Sequence, residues 1–146
     1  MTSPRRLGRE VKLHKRNAPK ARILVVDDDE RNLLAISEVL KDLAEVVPAT
    51  SGQEALRHLL KGEFAVILLD VFMPTMDGYE ATRAIREWER ATPDRRRHYI
   101  VALTANSLSG DREKCLDAGM DDYVSKPVRR EDLLGALERG EAAVRG

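Results

Sequence analysis

The chain has 146 residues, 25 of them basic and 25 acidic, with 42% hydrophobic side chains and a single cysteine, Cys115. That length suits one compact domain with one sizeable core, and it leaves no room for a second folded output domain. A lone cysteine excludes an internal disulfide framework, and there is no run of 18 apolar residues and no apolar leader at the N-terminus. The expectation is a soluble, cytoplasmic protein without a membrane span.

The balanced charge is unevenly placed. Through Arg22 there are eight basic residues against one acid, Glu10, a net +7 that leaves −7 for the remainder. Residues 1–20 contain Pro4, Gly8, Asn17 and Pro19, have few large apolar side chains and show no sustained period. They are expected to form a basic, mobile arm, either solvated or in nonspecific electrostatic contact with nucleic acid or an acidic protein surface. Without interleaved aromatics nothing there supports base recognition.

From residue 21 to 140 strand and helix signals alternate five times. RILVVD predicts a first strand, and the helix after it places Leu33, Ile36, Leu40 and Leu43 on one face. EVVPA is a short second strand whose Pro48 suits a sheet edge. Ser51 with Glu54 predicts a capping box, followed by Leu56, Leu59 and Leu60 as a buried stripe. FAVILLD is the most hydrophobic segment and the candidate central strand; its helix starts near Asp77, with Glu80 three residues on, and buries Ala81, Ile85 and Trp88.

TPDRRRH reads as a polar connection before YIVALT, the fourth strand. A helix from about Ser107 to Asp117 then ends at Gly119, a suitable left-handed cap, and its context makes Cys115 a packed thiol. DYVSK supplies a short fifth strand, and a last helix after Pro127 presents Leu133, Leu134 and Leu137, leaving 141–146 as a C-terminal tail. Five strand-then-helix units imply a parallel sheet with right-handed crossovers and helices on both faces, an α/β fold.

Four of these strands end in residues that a phosphoryl-transfer site would use: Asp27 and Asp28, Asp70, Thr104 and Lys126. In such sheets the strands' carboxyl ends share one edge, so these side chains are expected to converge there. Asp27, Asp28 and Asp70 together offer hard anionic oxygens, which prefer Mg2+ or Mn2+ over softer metals, while His14, His58 and His98 are too scattered for zinc. Taken alone, the acids from Asp27 to Glu30 are also readable as helix caps, a less favoured reading. Asp70 closes the most buried strand, is followed by a loop shaped by Pro74 and Gly78, and could attack phosphorus to form an acyl phosphate. Lys126 would balance part of the developing charge, and the Thr104 hydroxyl could donate to the new phosphoryl group.

ILVVDDD, VILLDVFMPTMDG, VALTA and YVSKP, in this order, resemble the receiver domain of two-component response regulators. The similarity covers residues 22 to about 139. It implies a flavodoxin-like, doubly wound five-stranded sheet of order 2-1-3-4-5. It further implies Asp70 as phosphoacceptor, charged from a phosphohistidine on a histidine kinase or histidine phosphotransfer protein. Asp28 and Asp70 would bind Mg2+ directly, Asp27 through water, and the Phe72 backbone carbonyl would complete the protein ligands. Thr104 and Lys126 match the switch hydroxyl and the lysine, and Tyr123 the rotating aromatic. The Lys126–Pro127 bond is expected to be cis.

By the same resemblance the protein is a signalling switch and not a metabolic enzyme. Its downstream protein target, or a second copy in a homodimer, would meet the face carrying Tyr123. The segment from Ala102 to Val128 is especially similar to receivers attached to hybrid histidine kinases, although a stand-alone receiver is the preferred reading. Phe72 is expected to shield the acyl phosphate from water, and Asp29 to point outward and cap the first helix. The rival readings are an interaction module that is never phosphorylated and, less favoured, a Mg2+-dependent phosphatase of the haloacid dehalogenase type. In the latter Asp27 and Asp29 satisfy the opening Asp-x-Asp, but Arg31 stands where that family has Thr or Val. No phosphate-binding glycine loop supports a nucleotide module.

Overall fold

A computed structural model describes residues 20–105 and 110–145. Among these, five strands alternate with five helices: β1 (Ala21–Val26), α1 (Glu30–Leu40), β2 (Ala44–Ala49), α2 (Gly52–Lys61), β3 (Val66–Asp70), α3 (Gly78–Ala91), β4 (Tyr99–Thr104), α4 (Asp111–Ala118), β5 (Asp122–Ser125) and α5 (Arg130–Arg145). The strands form one parallel sheet of order β2-β1-β3-β4-β5. The sheet is the doubly wound, flavodoxin-like arrangement expected.

Strand parity divides the core in two, because successive side chains of a strand point to opposite faces. Leu24, Val26, Ile67, Leu69, Ile100 and Ala102 pack with Ala55, Leu59, Ala81, Ile85 and Cys115, which places α2, α3 and α4 on one face. Ile23, Val25, Leu68, Val101 and Leu103 pack with Leu33, Ile36, Leu40, Leu133 and Ala136, which places α1 and α5 on the other. Every residue of β3 is buried, as a central strand covered on both faces requires. Pro48 sits in the edge strand β2, where its missing N–H costs no ladder bond.

Several local expectations change. Ser51 Oγ accepts from the Glu54 amide, but the Glu54 carboxylate turns to the Thr50 amide and hydroxyl, so the box at α2 is only half formed. Leu60 is 61% exposed, and Ala55 takes its place in the stripe with Leu59. Leu43 lies beyond the end of α1, and Trp88 is only half-buried. The full capping box predicted at Asp77 and Glu80 is present. Residues read as a C-terminal tail from 141 continue α5 as far as Arg145. Gly119 ends α4 in the left-handed conformation as expected, whereas the predicted start at Ser107 and the arm at 1–19 lie outside the described residues.

Candidate functional site

The carboxyl ends of β1, β3, β4 and β5 bring Asp27, Asp28, Asp70, Thr104 and Lys126 to one edge of the sheet. Asp27 is fully buried and anchored on three sides: the Asp29 amide donates to Oδ1 at 2.9 Å, and Asn32 Nδ2 (3.2 Å) and Lys126 Nζ (3.1 Å) approach Oδ2. Lys126 Nζ also donates to Asp70 Oδ1 at 3.0 Å, so one ammonium bridges two carboxylates. Asp28 is exposed, and one oxygen each from Asp27, Asp28 and Asp70 lie within 4.8 Å of one another. Asn32, which only the folded chain singles out, serves the site by orienting Asp27.

Three carboxylates against one ammonium leave the cluster short of positive charge. Burial, with the Asp27 charge adding to it, outweighs the Lys126 ammonium and pushes the Asp70 carboxyl up to about 6. Burial opposes the charge on Lys126, but hydrogen bonds and attraction from Asp70 and Asp27 prevail and hold its ammonium above its ordinary range. Hard oxygens at this spacing with an uncompensated negative charge are the donor set a small divalent cation requires. Asp29, by contrast, caps α1 by accepting from the Arg31 amide and pairs with the Arg31 guanidinium, outside the cluster.

Backbone packing fixes these positions. A side chain at residue 78 would overlap the Asp70 carbonyl oxygen and lie 2.8 Å from the Val71 Cα, so only glycine lets the start of α3 close against the end of β3. Val71 N–H donates to the Leu103 carbonyl and Lys126 N–H to the Thr104 carbonyl, tying the three strand ends together beyond their ladders. The loop after Asp70 contains Thr75 at φ +72°, a left-handed conformation costing of order 1 kcal/mol in a residue other than glycine. The Lys126–Pro127 bond is cis.

Phe72 is 62% exposed two residues beyond Asp70, and its amide leans on Asp70 Oδ1 at 3.3 Å. Tyr123 in β5 is half-buried against the core face shared by α2, α3 and α4. Thr104 is buried and donates its hydroxyl to Asp111 Oδ2, 2.7 Å away in the first turn of α4, a partner the sequence reading did not foresee.

Residues 23–138 match the model of the response regulator receiver domain. This chain belongs to the response regulator receiver family. The receiver is 43% identical over 121 residues to hybrid signal transduction histidine kinase B of Dictyostelium discoideum, covering 77% of this chain and 6% of that protein. Among solved structures it is similar to the receiver domain of sensor histidine kinase PA1611 from Pseudomonas aeruginosa, with magnesium coordinated in the active-site cleft (41% identity, TM-score 0.73, 84% of this chain and 98% of that one). It is also similar to the Saccharomyces cerevisiae Ssk1 receiver domain solved with the phosphotransfer protein Ypd1 (30% identity, TM-score 0.80, 85% and 90%). The receiver thus spans 6% of the Dictyostelium kinase and 18% of probable histidine kinase 1 of Oryza sativa, to which it is 33% identical over 169 residues. No helix among the described residues is long and apolar enough to cross a membrane.

Proposed function

We propose that this receiver is a phosphorylation-dependent switch whose Asp70 accepts a phosphoryl group from a phosphohistidine on a histidine kinase or histidine phosphotransfer protein. The observation that carries the reading is the buried Asp70 carboxylate, held at 3.0 Å by Lys126 and flanked by Asp27 and Asp28. A carboxylate oxygen of Asp70 attacks phosphorus, the new O–P bond forms, and the P–N bond breaks with its electron pair returning to the imidazole, which takes a proton from solvent. Lys126 can follow the charge as it moves from the Asp70 carboxylate onto the phosphoryl oxygens, because its ammonium already lies against that carboxylate.

Asp27, Asp28, Asp70 and the Phe72 carbonyl are the groups that would hold Mg2+ (or Mn2+). When bound, the ion supplies the positive charge that lets carboxylates and an anionic phosphoryl group share one cleft. Asn32 and the Asp29 amide keep Asp27 oriented throughout. Phe72, exposed beside the site, shields the acyl phosphate from water, and Phe72→Asn therefore shortens its lifetime severalfold. Thr104 and Tyr123 relay the modification to the face carrying Tyr123, where a downstream protein or a second copy docks. The bound phosphotransfer protein of the Ssk1 neighbour supports the donor class.

Mass spectrometry after incubation with acetyl phosphate tests this reading. A Mg2+-dependent gain of about 80 Da that disappears in Asp70→Asn is the expected result. No gain with Mg2+ present would replace the switch by an interaction module that works unphosphorylated.

A further inference from the structure

We propose that Asp111 is a positioning residue that competes with the phosphoryl group on Asp70 for the single hydroxyl proton of Thr104, so that phosphorylation must break the Thr104–Asp111 hydrogen bond to complete the switch. The proposal rests on the phosphoacceptor reading of Asp70 and adds the residue against which the switch works.

A threonine hydroxyl has one proton to donate. Here it goes to Asp111 Oδ2 at 2.7 Å, the short, charge-assisted geometry of a bond to an ionised acceptor. Thr104 is buried and follows Leu103, which pairs directly with Asp70 across the sheet, so its backbone is fixed beside the phosphoacceptor. Its carbonyl also holds the Lys126 amide at 2.8 Å. The hydroxyl can therefore change acceptor by side-chain rotation without disturbing the ladder.

Asp111 is the first residue of α4, an eight-residue helix with only Cys115 and Ala118 buried. Its N-cap is Gly110, with φ +102°, and makes no side-chain capping bond. The Asp111 carboxylate at that terminus is directed to β4. The bond to Thr104 thus ties a lightly packed helix to the strand that ends beside Asp70. When the hydroxyl turns to a phosphoryl oxygen, the tie is released, Asp111 is left to solvent and to the amino end of its own helix, and α4 is freed next to the Tyr123 face. The acceptor on α4 sets how much of the phosphoryl group's affinity for Thr104 is spent on releasing that helix.

The test is a double-mutant cycle read by calorimetric titration with fluoroberyllate in the presence of Mg2+, a tetrahedral mimic of a carboxyl-bound phosphoryl group. Asp111→Ala is measured in the wild-type chain and in Thr104→Val. Removing the Asp111 charge favours the anion in both backgrounds; only with the hydroxyl present does it also remove a competitor. The expected tightening is about tenfold larger with Thr104 than in Thr104→Val, the strength of one hydrogen bond to a charged acceptor. Asp111→Asn, which keeps shape and an acceptor, falls between and serves if Asp111→Ala does not fold. A difference between backgrounds below twofold overturns the competition while leaving Asp70 as phosphoacceptor. Failure of the wild-type chain to bind fluoroberyllate overturns both.

Discussion

Two clusters of charge sit at opposite ends of the same sheet, and they are built to opposite rules. At the carboxyl ends of the strands, Asp27, Asp28 and Asp70 share one ammonium, Lys126. At the amino ends of β4 and β5, buried Arg86 donates to Glu89 Oε1 (2.9 Å), Asp121 Oδ2 (2.8 Å) and the carbonyls of His98 and Gly119, while Arg97 pairs with the other oxygen of Asp121 at 2.6 Å. Two guanidinium groups meet two carboxylates there, and Glu89 further accepts from the His98 amide (2.7 Å) and ring Nδ1 (2.8 Å). One cluster is compensated and closed; the other lacks positive charge and lies partly open. A balanced buried network positions elements, whereas a cluster of carboxylates short of positive charge and open to solvent attracts a cation.

The largest effect should come from breaking the balanced cluster. Arg86→Ala strands Glu89 without its guanidinium, leaves Asp121 with Arg97 alone, and removes the donor to two carbonyls that fix the end of α4 and the start of β4. The expected loss is about 3–5 kcal/mol, a large part of the about 5–15 kcal/mol that holds a domain together. Urea denaturation measures it, and a loss under about 1 kcal/mol would mean that the network adds little to the fold.

Asp70→Asn should move stability the other way, which sharpens the contrast. With Asp70 raised to about 6 by burial and by the Asp27 charge, the folded chain binds that proton more tightly than the unfolded chain, whose ordinary value is 3.8. The contribution is complete below about pH 3.8 and is lost as pH rises through about 6, a fall of order 2 kcal/mol in Mg2+-free buffer. Glu89 has the opposite sign: burial raises its carboxyl, but the bonds from His98 and Arg86 more than offset this and leave it below its ordinary 4.5, so its contribution is lost on acidification. Denaturation across this range with EDTA should show Asp70→Asn more stable than the wild type at pH 7 and the two curves converging toward pH 4. Parallel curves would show that the fold does not bear the cost of an ionised Asp70.

The two clusters also differ in how far the sequence disclosed them. Asp27, Asp70, Thr104 and Lys126 end apolar runs, and a parallel sheet gathers strand ends on one edge whatever the details of packing, so sequence order alone predicted their meeting. The central place of β3 followed from the same hydrophobic runs, whereas the sheet order came from the resemblance to receiver domains. Arg86, Glu89 and His98 lie in segments that read as a solvated helix face and a polar connection, because a charged side chain is taken as exposed until its partners are known. The partners of Arg86 lie from 3 residues away, at Glu89, to 35 away, at Asp121, and come together only after α3 docks. Leu60 failed for a related reason: helical periodicity gives a stripe, but the rotation of α2 against the sheet chose Ala55 and Leu59 over it. Asp111 carried a weaker signal: with the helix read from about Ser107 it was an acid in the early turns, which on its own reads as a dipole partner.

The smallest expected effect marks the boundary of the unbalanced cluster. Asp29 adjoins Asp28 in sequence and would add a fourth negative charge if it faced the cleft. Instead its side chain accepts from the Arg31 amide at 2.9 Å and pairs with the Arg31 guanidinium at 3.1 Å, and its hydrogen bonds to Arg31, side chain before backbone, hold its carboxyl below the usual range. Only its amide reaches inward, to Asp27, and that group survives substitution. Asp29→Ala should therefore shave the stability of α1 slightly and leave Mg2+ affinity within about twofold in a calorimetric titration, since an exposed charge already paired with a guanidinium adds little field at the cleft. Asp28→Ala in the same titration should weaken the ion by an order of magnitude or more, having removed an oxygen from the 4.8 Å cluster itself. Equal losses at the two positions would mean that Mg2+ senses the summed charge of the β1–α1 turn and not the oxygens brought together at the strand ends.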